Sequence, residues 1–224
     1  MWPLAFRTLI LSLALALAAQ PASAAEHDWV LTCNGSSRWF PPDANLEALQ
    51  QTFGEENVQV GDVEAGGGEM TRGAVLYGND PEHRVEVVWK DGKESHGIEM
   101  VTIAGNVSTW HTCEGVTIGT RLKRLEQLNG KPFRLSGLGW DYSGGVSDWQ
   151  GGKLAASFKN VFLFLDGEGS VAAYDQVSGD KPFVSSFPAM QTVNPAVYKM
   201  GMSYLAKPST SDKASTDKST AKSN

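Results

Sequence analysis

Apolar residues spaced for one face of a helix recur twice in this chain. Leu46, Leu49 and Phe53 line a first predicted helix, with Asp43 or Asn45 as its cap and Gly54 as its stop. Ile118, Leu122 and Leu125 line a second, capped by Thr117 or Thr120 and ended by Asn129-Gly130 with Pro132 beyond. Elsewhere the period changes. Residues 84–90 alternate as a half-buried strand does, whereas 160–166, with Val161, Phe162, Leu163, Phe164 and Leu165 in succession, are apolar on both faces, the pattern of a central strand.

These landmarks share one offset of 76 residues: Leu46 with Leu122, Leu49 with Leu125, Gly54 with Gly130, Gly61 with Gly137, and the strand at 84–90 with that at 160–166. Short amphipathic helices resemble one another by chance, but several landmarks at one offset favour duplication. The predicted fold is α+β, with two tandem units of a helix followed by antiparallel strands, copies at about 43–104 and 117–175, and helices on one side of the sheet.

The two ends read differently from the middle. Arg7, the apolar run from Leu9 to Ala19, the breaker Gln20-Pro21 and the small residues Ala22-Ser23-Ala24 form a secretory signal over 1–24, with cleavage before Ala25. Acylation of Cys33 is disfavoured, because Thr32 precedes it and Glu26, His27 and Asp28 interrupt the approach. The mature domain then spans 25–206. Residues 207–224 hold nothing large and apolar to bury, so a disordered tail is expected there. No later run is apolar enough for a membrane span. The chain has two cysteines, Cys33 and Cys113, and export predicts that they pair. These features place the protein in the bacterial envelope, periplasmic or secreted.

Charge narrows the partners. Setting aside Arg7 and four tail lysines leaves 14 of the 19 basic residues, and setting aside two tail aspartates leaves 23 of the 25 acidic ones, so the folded part carries about −9. Such a surface repels phosphate backbones and excludes nucleic acid, while a cationic partner is steered toward it.

The stretch from Ile118 to Gly145, with Asn129-Gly130-Lys131-Pro132-Phe133 and then Gly139-Trp140-Asp141-Tyr142-Ser143-Gly144-Gly145, resembles the signature of an uncharacterised family of secreted bacterial proteins, which brings no activity with it. More distantly, a Gly-led helix ending in Gly-x-Pro before strands resembles the unit of small envelope lipoproteins of the SmpA/OmlA type and of the tandem-repeat β-lactamase-inhibitor protein. That resemblance implies a scaffold for protein contacts. The chain departs from the lipoproteins in lacking an acylation site.

Candidate chemistry concentrates between Gly137 and Gly152, where six glycines surround Trp140, Asp141, Tyr142, Asp148 and Trp149. Aromatic rings presented between such turns stack on a sugar or anchor a partner protein, and the aspartates accept hydrogen bonds. The competing reading makes these rings core residues at a hairpin bend. Asp141 with Asp148 also has the composition of a glycosidase acid and base pair. The aspartate of Asp141-Tyr142-Ser143-Gly144-Gly145 stands one place too far from the serine for a serine-protease element, and there is no Gly-x-Ser-x-Gly elbow. His27, His83, His96 and His111 have no zinc spacing, although His111 beside Cys113 is notable. Asp166-Gly167-Glu168-Gly169 reads as a hairpin turn in preference to a calcium loop. No cofactor, metal or catalytic residue is assigned. The expected function is a non-catalytic envelope protein that binds another protein, with inhibition as one form of that role. The alternatives are a glycan or peptidoglycan binder and, behind it, a glycoside hydrolase.

Overall fold

The computed structural model describes residues 27–90, 92, 97–140, 143–167 and 169–205. The expected signal at 1–24 and the expected tail at 207–224 lie outside the described residues, as do His96, Asp141, Tyr142 and Glu168.

The chain is α+β. Its elements in order are β1 (Val30–Thr32), α1 (Leu46–Phe53), β2 (Val58–Gly66), β3 (Glu69–Leu76), β4 (Val85–Trp89), β5 (Ile98–Ala104), β6 (His111–Thr112), α2 (Leu122–Asn129), β7 (Arg134–Ser136) and β8 (Val146–Asp148). There follow α3 (Leu154–Ser157), β9 (Val161–Asp166), α4 (Val171–Val177), β10 (Pro182–Val184), α5 (Pro188–Val193) and β11 (Ala196–Ser203).

Both expected helices form, but α2 starts only at Leu122, so Ile118, expected on its face, lies ahead of it, and the caps differ in part from expectation. Asn45 caps α1 through its Oδ1, which accepts from Ala48 N at 2.9 Å, so Asn45 and not Asp43 takes that role. For α2 neither expected threonine serves. Arg121 stands at the cap position without a side-chain bond, and Thr120 Oγ1 accepts from Thr117 N instead. The first-turn donors of α2 go to the turn between α5 and β11: Leu122 N donates to Pro195 O at 2.8 Å and Lys123 N to Asn194 Oδ1 at 3.0 Å. A partner distant in sequence therefore satisfies groups that a local cap otherwise would.

The main sheet has six antiparallel strands in the order β2-β3-β4-β5-β11-β9. Its core face carries Val85, Val87, Trp89, Val101, Ile103, Leu163, Leu165, Met200 and Met202, all buried in one cluster with Leu49 and Phe53 of α1 and Leu122 and Leu125 of α2. β9 sits at the end of this ladder, not in its interior. Its outer edge is met by a loop, where Leu165 N donates to Gly144 O at 3.2 Å, so part of the strand's free backbone edge is paired. Two smaller assemblies complete the fold: the sheet β10-β7-β8, and the parallel pair β1-β6, which the Cys33–Cys113 disulfide clamps with a Cα–Cα distance of 5.0 Å.

α1 and α2 each run for eight residues and end at Gly54 and Gly130, and β4 and β9 begin at Val85 and Val161. Past β9 the offset of 76 fails. The positions that would answer β5 fall on the end of α4 and the turn after it, and the strand that pairs with β9 arrives only at β11, after α4, β10 and α5.

Candidate functional site

The aromatic segment from Gly137 to Gly152 occupies the bend between β7 and β8 and the turn that follows. Two of its glycines, Gly137 and Gly144, serve backbone packing. A Cβ on Gly137 would collide with the carbonyls of Gly179 and Val177, and one on Gly144 with the backbone of Leu165. Trp140 is half-buried, and its Nε1 donates to Gly137 O at 3.0 Å. Asp148 is exposed and turns both oxygens to Gln150, accepting from its N at 2.7 Å and its Nε2 at 2.5 Å.

Trp149 departs from the expectation of an exposed ring. It is only 8% exposed, with its ring centroid 5.0 Å from that of Phe133 and 5.4 Å from that of Phe158. Ser147 and Asp148 are both exposed, so strand alternation does not set this; the ring leaves the end of β8 to pack between Phe133 and Phe158, where an apolar surface is removed from water. The structure thus separates Trp149 from Asp148, and Asp141 and Tyr142 lie outside the described residues.

A different place has the form of a binding site. On the sheet face opposite the core, the pairings Glu86↔Thr102, Thr102↔Gly201 and Gly201↔Phe162 put these four positions in one row across four strands. Beside that row lies a hollow of about 540 Å³ whose walls include Met100, Thr102, Phe162, Phe164 and the hairpin glycines Gly66 and Gly67. Lys199 and Glu64 also line it, with Lys199 Nζ 2.8 Å from Glu64 Oε2 and 5.9 Å from the centroid of Phe164. Glycine is required at position 201, because a Cβ there would run into Val101 O and the Phe162 ring. Burial, and then the nearby carboxylates Asp166 and Glu64, push the Tyr198 phenol above its usual pKa. An apolar floor with one ion pair at the rim is the usual chemistry of a small-ligand pocket.

A third cluster is aromatic. Trp29 lies against His83 with centroids 3.9 Å apart and planes tilted by 32°, and meets Trp110 and Tyr77 edge-on at 5.2 and 5.6 Å. His83 Nδ1 lies 2.6 Å from Asp80 Oδ2, and this contact holds the Asp80 carboxyl below its ordinary pKa. His111 is half-buried, with Nδ1 3.0 Å from Thr109 O. Among the described residues no group of three or more His, Cys, Asp or Glu side chains is placed to hold a metal ion, and no helix is long and apolar enough to cross a membrane.

Glu64, Lys199, Phe162 and Phe164 were not singled out as site residues by pattern. For Phe162 and Phe164 the signal is a strand apolar on both faces, since the core covers only one face of the sheet there; nothing local marks Glu64 or Lys199.

No family model matches the chain, and no curated protein matches it. Among solved structures, the uncharacterised protein yfeY from Escherichia coli matches with 14% sequence identity and a TM-score of 0.43, over 78% of this chain and 97% of that one.

Proposed function

We propose that the chain is a non-catalytic binding protein of the periplasm or extracellular space, built from two copies of one helix-and-strand unit with helices on one side of the sheet, whose other face holds a partner protein. Register supports the duplication as well as offset. In the first unit, Glu86 pairs with Thr102 and Val87 with Val101, and a bulge then sets Trp89 opposite Ile98. In the second, Phe162 pairs with Gly201 and Leu163 with Met200, and a bulge sets Leu165 opposite Val197. Each β9 residue here stands 76 places after its β4 counterpart, and each β11 residue 99 places after its β5 counterpart. A bulge at the same place in the same register favours common descent over chance likeness. At the junction, Thr102 pairs with its own counterpart Gly201, so a local twofold axis runs between them.

The observation that carries the contact role is the hollow beside this axis, to which both units contribute: Met100 and Thr102 from one, Phe162 and Phe164 from the other. The disulfide and the charge of about −9 on the folded part suit an exported protein with a cationic partner. The glycan reading rests on Trp140, Tyr142 and Trp149 as a joint platform, and burial of Trp149 takes one ring from it. The hydrolase reading has less support, because Asp148 spends both oxygens on Gln150. The test is capture from envelope extract on the immobilised mature protein. Phe164→Asp should abolish capture and Trp140→Ala should keep it; equal capture by wild type and Phe164→Asp moves the contact off this face.

A further inference from the structure

We propose that the hollow on the sheet face is itself a site for a small amphipathic carboxylate, an alkanoate whose chain lies on Met100, Phe162 and Phe164 and whose carboxylate sits on the Lys199 ammonium. This goes beyond the protein-contact reading, with which it shares the hollow and its lining residues.

The size and lining suit the chain. A volume of about 540 Å³ lies within the range of small-molecule pockets, roughly 300–1,000 Å³, and the walls are mainly apolar. The polar end is set by charge. Lys199 is the only basic side chain among the described residues that line the hollow, and its side chain is only 22% exposed, so its ammonium needs an anion close by. Glu64 now supplies one at 2.8 Å, from a segment 135 residues away in sequence.

The two members of this pair are held unequally. Lys199 lies on a strand paired on both sides, opposite Ala104 of β5 and Phe164 of β9. Glu64 lies at the end of the β2–β3 hairpin, just before a register shift and the tip Gly66-Gly67-Gly68, with φ of 107°, 62° and 80°. A Cβ added at Gly66 or Gly68 would meet nothing within 4 Å, so the tip packs against nothing there. Glu64 thus acts as an internal carboxylate in a seat that an external one can take. The exchange replaces like with like at Lys199, returns Glu64 to water and lets the ligand's chain cover the two phenylalanines. A cationic amphiphile finds the reverse: it must push aside the anchored Lys199 or lie beside a like charge.

The experiment is calorimetric titration of the full mature chain with decanoate, decanol and decyltrimethylammonium. Decanoate should bind once per chain, and decyltrimethylammonium at least about tenfold more weakly, as expected when a charge-assisted bond is lost. Two variants should move decanoate in opposite directions: Lys199→Gln weakens it to the level of decanol, and Glu64→Gln strengthens it by removing the competitor. Circular dichroism checks that each stays folded, and if Lys199→Gln does not fold, the gain in Glu64→Gln decides alone. Decyltrimethylammonium binding as tightly as decanoate, an unchanged decanoate affinity in Glu64→Gln, or no heat and no rise in Tm with decanoate overturns the proposal. Partner capture that persists without decanoate binding defeats this site alone, and decanoate binding without any captured partner defeats only the protein-contact reading.

Discussion

The side-chain amide of Asn129, at the last turn of α2, occupies the space where a Cβ on residue 152 would stand, so Gly152 and Asn129 fit only because one of them has no side chain. Buried to 1% exposure, the amide donates to Lys131 O at 2.9 Å and Trp149 O at 3.0 Å, and its Oδ1 accepts from Leu154 N at 3.3 Å. One residue thereby ties the end of α2 to the turn that carries Trp149 and to the start of α3. Asn129→Ala should cost about 2–3 kcal/mol, the scale for leaving buried backbone groups unpaired. Gly152→Ala should also destabilise, and urea unfolding of the two single variants and the double one measures both. A full additive loss in the double variant would show that the two positions do not share this contact.

The Cys33–Cys113 bond joins segments 80 residues apart and clamps the β1-β6 pair. Replacing both cysteines by serine should cost about 2–4 kcal/mol. Mass spectrometry after alkylation without reductant should find neither thiol labelled on protein recovered from the envelope.

Trp149 and Trp140 should separate in their effects. Trp149→Ala empties a site between Phe133 and Phe158 and should cost roughly 3–5 kcal/mol. Trp140→Ala removes a half-buried ring and should cost about 1 kcal/mol, near the centre of the range for single substitutions. Thermal melts of the two variants check this, and a wild-type Tm for Trp149→Ala would put that ring outside the core.

Two tyrosines predict an alkaline limit to stability. Burial, with a hydrogen bond to Asp166 at 3.0 Å, pushes the Tyr174 phenol up to about 12, and burial alone does the same for Tyr204, whose hydroxyl donates to Phe40 O. A pKa raised on folding means that the unfolded chain releases its proton first. The stabilisation is therefore complete below pH 10, where a free phenol titrates, and is lost between about 10 and about 12. Unfolding free energy should fall over that window. Tyr174→Phe and Tyr204→Phe should each flatten the fall, as urea titrations at successive pH values will register.

Much of the local structure was legible in the sequence because it rests on short-range periodicity. The faces of α1 and α2, their glycine stops and the strand at β4 follow from residues within one or two turns of each other, and two cysteines allow a single intramolecular pairing. What tertiary structure decided lies at longer range. The cap of α2 is Asn194, 71 residues onward, and no local pattern in Thr117 or Thr120 signals that. Periodicity marked 160–166 as apolar on both faces, but whether such a strand lies inside a sheet or at its end depends on which strands pair with it, and β11 reaches β9 only after three intervening elements. A tryptophan among glycines has the same composition whether it points out or in; packing against Phe133 and Phe158 turned Trp149 inward. Glu64 and Lys199, 135 residues apart, carry no mark of each other in the sequence, because an ion pair needs only that two side chains arrive at one place, and the six-stranded sheet brings them there.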